Sequence, residues 1–457
     1  MRCPRVLALG TVLACVVSAR SLAQSASASQ EPFRLTPAQM REDLAAFRDG
    51  FMARDNSFSA AARAQAESRL RALDSSVERL TPVAFELELA RIVALADNGH
   101  TNASAAARLQ HYNRVPVRLA VFGEAFYVLR ATSANADLLG AKLVTIDGHD
   151  VRQLRDSARV LVGGIPSRRD RSAPYVLESP EQLHALGLAA AAERATYSFQ
   201  RADGRSVGRR LDGIAPQPGS PPPFGEQWLF PQQMPRDEGT WRGVLDSARA
   251  PWSLGEPRTT YRWRAAPELA AMVIELRATT NSPTASITSF LDEVASKLEA
   301  QRPRNVVLDM RFNGGGNLNT ARDFMKRLPT LVPGRIFVLT SPVTFSAAIS
   351  SIGYLKQAAP DRVTIVGEGV GDRLVFFAEG TRTMLPNSGA SISFSTQRHD
   401  YNNGCKAFTD CHPPVVANPI AVASLAPDVA APWTVESYRA GRDPGIDAIA
   451  AELRRRP

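Results

Sequence analysis

Between Leu35 and Leu95 apolar residues recur every three or four positions, the spacing of helices with one buried face. Thr36-Pro37 predicts a helix running toward Met52, with Thr36 as N-cap and Pro37 in the first turn. A second helix is expected over Ser59 to Leu73. A third opens at Thr81-Pro82, with Phe85, Leu87, Leu89, Ile92, Val93 and Leu95 as its apolar face, and ends in the loop Asp97-Asn98-Gly99-His100-Thr101. From about Val115 to Leu211 the period shortens to two. Val117, Leu119 and Val121 alternate, as do Ala125, Tyr127 and Leu129, predicting a hairpin about Gly123. The strand ending Leu143-Val144-Thr145-Ile146 closes on the turn Asp147-Gly148. A helical stretch near Pro180 to Arg194 and a strand pair across Asp203-Gly204 follow.

The last block, from about Thr259 to Leu453, alternates the two periods. Strands are expected at Ala271–Leu276, Asn305–Met310, Arg335–Leu339 and Arg362–Val366, with helices at Ala285–Ala300, Asn319–Leu328 and Ser346–Ala359. Such alternation predicts an α/β domain. Five boundaries follow: residues 1–23 as a leader, 34–112 helical, 113–212 a β-rich insert, 213–256 a Pro/Gly-rich linker and 257–457 the α/β core.

The 457 residues are 44% apolar and 22% charged, enough for more than one core. The net charge of +9 comes from scattered arginines, and only Arg454-Arg455-Arg456 forms a run. A nucleic-acid partner would require a basic stripe interleaved with aromatics, so none is expected. Met1-Arg2-Cys3-Pro4-Arg5 followed by the apolar stretch Val6 to Ala19 reads as a signal peptide, being too short to span a bilayer. Val12-Leu13-Ala14-Cys15 also allows a lipid anchor on Cys15. The protein is therefore expected to be exported, to the periplasm or beyond. Cys405 and Cys411 then read as one small disulfide. Zinc is the rival, because His399 and His412 flank the pair, but the five-residue gap exceeds the usual spacing of structural zinc ligands. No metal or other cofactor is expected.

Chemistry concentrates in the α/β block. The strand Asn305-Val306-Val307-Leu308-Asp309 runs through Arg311 and Asn313 into Gly314-Gly315-Gly316 and then a helix. Glycines at a helix start let backbone N–H groups approach a developing anion. The pattern lacks the lysine of a phosphate loop. About thirty residues later the architecture repeats, with Ser346 at the start of a small-residue helix and the Ala347 N–H beside it. From this segment alone Ser346 is equally a nucleophile or a helix cap.

In their order, Asp309/Arg311/Asn313/Gly315/Gly316, then Thr344/Ser346/Ala347, then Val366/Gly367/Glu368 and Gly371/Asp372 resemble the catalytic domain of the tail-specific, or C-terminal processing, serine peptidases. Leu385-Pro386-Asn387-Ser388-Gly389 and the closing segment Tyr438–Ile449 resemble one branch of that family. The resemblance covers roughly residues 260–450 and implies a ClpP/crotonase-like α/β core. It makes residues 113–212 similar to a degenerate PDZ-like insert. It also implies polypeptide substrates, Ser346 as nucleophile and the amides of Gly315 and Ala347 as oxyanion donors.

Many members pair the serine with a lysine about 25 residues on. Here that region is Gly367 to Arg373, and an arginine cannot serve as base. The related tricorn-like branch uses a Ser–His–acid set with its histidine in a D-G-H-T type loop. Asp97-Asn98-Gly99-His100-Thr101 resembles that loop, so His100 is the expected base. The branch carries its acid some 60 residues past the serine, which implies Asp410, with Asp400 next. A Cys405–Cys411 disulfide would then stiffen the Asp410 loop. A non-catalytic binding protein on the same scaffold and an esterase-like hydrolase are the alternatives.

Overall fold

The computed structural model describes residues 33–216, 229–232 and 241–455. The expected leader, and residues 217–228 and 233–240 of the Pro/Gly-rich linker, lie outside the described residues.

Three helices open the chain: α1 (Pro37–Phe47), α2 (Ala60–Ser76) and α3 (Pro82–Ala94). Each begins on a hydroxyl that accepts an otherwise orphaned N–H: Thr36 from Gln39, Ser59 from Ala62 and Thr81 from Ala84. Thr36 and Gln39 close a full capping box. α3 buries Phe85, Leu87, Leu89, Ile92 and Val93, so it is apolar nearly all round and lies inside the molecule.

The insert is a seven-stranded sheet built on β1 (Val117–Phe122), β2 (Ala125–Thr132), β3 (Lys142–Ile146), β4 (Arg194–Gln200) and β5 (Ser206–Asp212), in that spatial order. The hairpin between β1 and β2 turns at Gly123 with φ 61°. Between β3 and β4 the chain is more helical than its pattern suggests. Asp150 caps a helix over Val151–Arg159, and α4 (Pro166–Ser172) follows, with proline in its first turn. The stretch expected from Pro180 to Arg194 is helical only to Ala185. One apolar core, including Leu44, Phe85, Val128, Leu143 and Phe199, runs through both the N-terminal helices and this sheet.

The second layer is a six-stranded sheet. Its strands β6 (Tyr261–Ala266), β7 (Ala271–Leu276), β8 (Asn305–Asp309), β9 (Ile336–Thr340) and β10 (Val363–Gly367) lie side by side, and the short strand Val429–Ala430 completes the far edge. All pairs are parallel except β6 with β7. Strands β7, β8 and β9 are wholly buried, as continuous Val/Ile/Leu runs covered on both faces should be. Helices α5 (Ile287–Gln301), α6 (Leu318–Leu331) and α7 (Ala347–Ala358) make the crossovers, and α8 (Pro444–Arg455) packs its Ile449 with Val307, Phe337 and Val366. A two-stranded ribbon, β11 (Val375–Ala378) with β12 (Gln397–Asp400), extends from this core.

The mixed α/β architecture is the expected one. Its α/β half places two loops at the carboxyl ends of adjacent parallel strands, where open α/β sheets bind ligands. One follows β8 and carries the glycines. The other follows β9 and carries Ser346.

Candidate active site

The loop after β8 is fixed from below. Arg311 is buried and forks onto Asp309 at 2.6 and 3.0 Å and onto Asp443 at 2.7 and 2.8 Å. Two carboxylates hold its guanidinium charged against the desolvation that burial imposes. Thr344 Oγ1 donates to Met310 O (2.9 Å), Ser341 Oγ donates to Arg311 O (2.5 Å), and Phe345 N–H donates to Asn313 O (3.0 Å). The two loops are thereby stitched to one another just beneath Ser346.

Ser346 stands at the N-terminus of α7 with φ 56° and ψ −125°. An ordinary N-cap has extended backbone and a side chain that accepts a helix N–H. Ser346 has neither, and its hydroxyl makes no capping bond. A non-glycine residue in this region stores about 1–3 kcal/mol of strain. The same sharp strand-to-helix turn raises the nucleophile of other hydrolases above the sheet. Gly315, at φ 103°, makes it possible: a Cβ there would lie 2.6 Å from Ser346 Cβ and 2.9 Å from Phe345 O. As the first residue of α7, Ala347 has an N–H without an intrahelical acceptor. The Gly315 N–H is engaged by Asn313 Oδ1 at 2.9 Å. An oxyanion would have to share or displace that contact, so the two expected donors differ in readiness.

His100 reaches the same place from the N-terminal region. Its loop is tied to β11 by Asn98, whose Oδ1 accepts from Phe377 N (3.0 Å) and whose Nδ2 donates to Phe377 O (2.9 Å). Thr101 Oγ1 donates to buried Asp55 at 2.7 Å. Gly99 is required because a Cβ there would collide with Asp372 Oδ2 and the Phe345 ring. The His100 ring stacks on Phe345, the neighbour of Ser346, at 4.2 Å and on Phe376 at 5.0 Å. Its side chain is 17% exposed, yet both ring nitrogens are buried without a hydrogen-bond partner among the described residues. Burial lowers its pKa below 6.5; Asp372 opposes the shift, while Arg168 and His399 add to it. A neutral imidazole at neutral pH is the form that can accept a proton.

The carboxylate at His100 is Asp372. Its Oδ2 lies 3.6 Å from His100 Nδ1, and its side chain is 1% exposed. Oδ1 accepts from Arg373 N at 2.9 Å, and Oδ2 has no hydrogen-bond partner among the described residues. Asp410 is elsewhere. It is half-exposed and forks onto Arg398 at 2.9 and 3.1 Å, which holds its pKa below the usual carboxylate value. Asp400 is buried at the end of β12 and accepts from Asn402 N. The sequence signal for Asp372 was the Gly371-Asp372 pair, which carried the resemblance but was given no role. Counting residues past the serine pointed to the next loop instead.

The Cys405–Cys411 disulfide forms. It braces the Asp410 loop, which bonds back to β12 through Arg398, rather than the acid beside His100. Both thiols are thus consumed. Among the described residues no group of three His, Cys, Asp or Glu side chains is arranged to hold a metal ion, and no helix is long and apolar enough to cross a membrane.

No protein-family model and no curated protein matches the chain. Solved structures do. Mature CPAF superposes with a TM-score of 0.59 at 11% identity over 91% of this chain and 97% of that one. Mature CPAF complexed with lactacystin gives 0.56 at 12% identity, over 91% and 98%. At such identities the likeness speaks for the fold. The fold is shared with mature CPAF, and its mixed α/β architecture is the one the motifs lead one to expect.

Proposed function

We propose that the protein is an exported serine peptidase in which Ser346 is the nucleophile, His100 the base and Asp372 the acid that orients it. The observation that carries this reading is the backbone of Ser346. It is strained at φ 56°, free of any capping bond and backed by Gly315, while the His100 ring rests against the adjacent Phe345. A serine that only caps a helix needs none of this.

In the proposed reaction Ser346 Oγ attacks the peptide carbonyl carbon, and His100 takes the hydroxyl proton. The oxyanion is held by the Ala347 N–H and by the glycine loop. Collapse of the tetrahedral species breaks the C–N bond, and His100 hands its proton to the leaving amine. Water, deprotonated by His100, then hydrolyses the acyl-enzyme. Asp372 stabilises the imidazolium formed in each half. The 3.6 Å gap is longer than a working hydrogen bond, and such contacts tighten when substrate binds. The disulfide supports a location outside a reducing cytosol.

One observation favours the alternative of a binding protein on this scaffold: the Gly315 N–H is already taken by Asn313. A fluorophosphonate probe separates the two. The peptidase reading predicts an adduct on Ser346, loss of the adduct in Ser346→Ala, and hydrolysis of an unfolded polypeptide with the same dependence. Absence of any Ser346-dependent adduct across pH 5 to 9 would contradict it.

A further inference from the structure

A cavity of about 310 Å³ opens between the insert and the catalytic core. Leu119, Val121 and Phe122 of edge strand β1 form one wall, and Phe312, Val343 and Trp433 form the other. Phe312 lies three positions before Gly315, and Val343 lies three before Ser346. Each loop of the proposed active site therefore contributes to the cavity wall within three residues of Gly315 or Ser346.

The charged groups around the cavity are already engaged by partners. Arg159 forks onto Asp170 at 2.5 and 2.6 Å, and the Arg311 guanidinium is shared by Asp309 and Asp443. Arg171 donates to Pro342 O at 3.1 Å. Glu124, at the rim, is exposed to water and pairs with Arg155 at 3.6 Å, while burial raises the pKa of Glu368, the other carboxyl in the wall, which makes a second charge there costly. A ligand group carrying a net charge would lose its hydration for no free partner. An uncharged one would exchange water for apolar contact. Three aromatic rings line the space and can meet a fourth edge-to-face. The volume equals that of about ten liquid waters, room for a large side chain and not merely a methyl group.

Resting on the peptidase reading, we infer that this cavity is a specificity pocket that takes a large uncharged side chain, foremost an aromatic one, flanking the scissile bond of the polypeptide. Strand β1 of the insert then selects substrates directly, by shape, at the catalytic centre.

The test is a series of quenched peptides differing at one position (Trp, Phe, Tyr, Leu, Ala, Asp or Lys), with fluorophosphonate labelling of Ser346 as a parallel readout. The protein should cut the Phe and Tyr peptides with kcat/KM about tenfold or more above the Ala peptide, and the charged ones below it. Val121→Trp, which fills the pocket, should remove about tenfold from the aromatic peptides only, with labelling unchanged. Val121→Ala, which enlarges it, should shift preference toward Trp, and it decides the matter if the larger residue prevents folding. Labelling and cleavage without an aromatic preference, or a preference that neither variant alters, would overturn the pocket and leave the peptidase reading standing. Failure of Ser346 to label, with no peptide cut, would overturn both.

Discussion

His100 and Asp372 come from chain positions 272 residues apart, yet a single missing Cβ, at Gly99, lets them meet. Their environment suits the roles proposed for them. Desolvation keeps the imidazole neutral, and the buried Asp372 carboxylate rewards the charged form when a proton arrives. Asp372→Asn should therefore lower kcat by on the order of 10³–10⁴-fold, the size expected when a triad loses its orienting acid. Asp410→Asn should cost little in kcat, because its carboxylate serves Arg398. Steady-state kinetics on the two variants distinguishes the assignments. The Ser346 and His100 motifs were legible in the sequence because each sits in a short, local pattern of glycines and polar residues. The proposed acid was not, because a carboxylate's partner depends on where its loop turns, and the Asp372 loop is held by contacts distant in sequence, Gly371 N–H on Thr344 O (2.7 Å) and Arg373 on Asp97 O (2.7 Å).

At the scale of elements, the decisive device is the meeting of the glycine loop with the start of α7. Gly315→Ala would place a Cβ 2.6 Å from that of Ser346 at a φ of 103°, where side chains are strained. It should abolish labelling of Ser346 and cost roughly 1–3 kcal/mol in thermal or denaturant unfolding. The disulfide belongs to a different element and should behave differently. Converting Cys405 and Cys411 to Ser opens a loop closed over a sequence separation of 6, worth about 2 kcal/mol by loop entropy. Activity at temperatures below unfolding should survive. Strands β7 to β10 and helices α5 to α7 were readable from period and β-branched runs. Helix Val151–Arg159 and α4 were not, since the first buries only Leu154 and Ala158 as apolar residues and α4 buries Asp170 and no apolar side chain, so neither carries a long apolar stripe. One apolar core spans residue 112, where the hydrophobic period changes.

Across the molecule, the groups proposed to move protons are spread between the N-terminal helical region and the α/β core, so on that reading folding and catalysis share a titration. His100 and His412 both have pKa values lowered from 6.5 by burial. Well above pH 6.5 both groups are neutral in the folded and unfolded chains alike, so their titration leaves stability unchanged there. As pH falls from 6.5 toward the lower folded values, the unfolded chain binds protons that the folded one resists, so stability declines. Denaturant midpoints should drop between pH 7 and 5, and His100→Ala should flatten part of that slope. The same lowered pKa governs the central claim, that Ser346 is activated by a buried neutral His100. The rate of fluorophosphonate labelling of Ser346 as a function of pH tests it most directly. The account predicts a rate that rises with pH along a limb whose midpoint lies below 6.5, and its near-complete loss in His100→Ala. A rate at Ser346 that is independent of pH, or unchanged in His100→Ala, would contradict it.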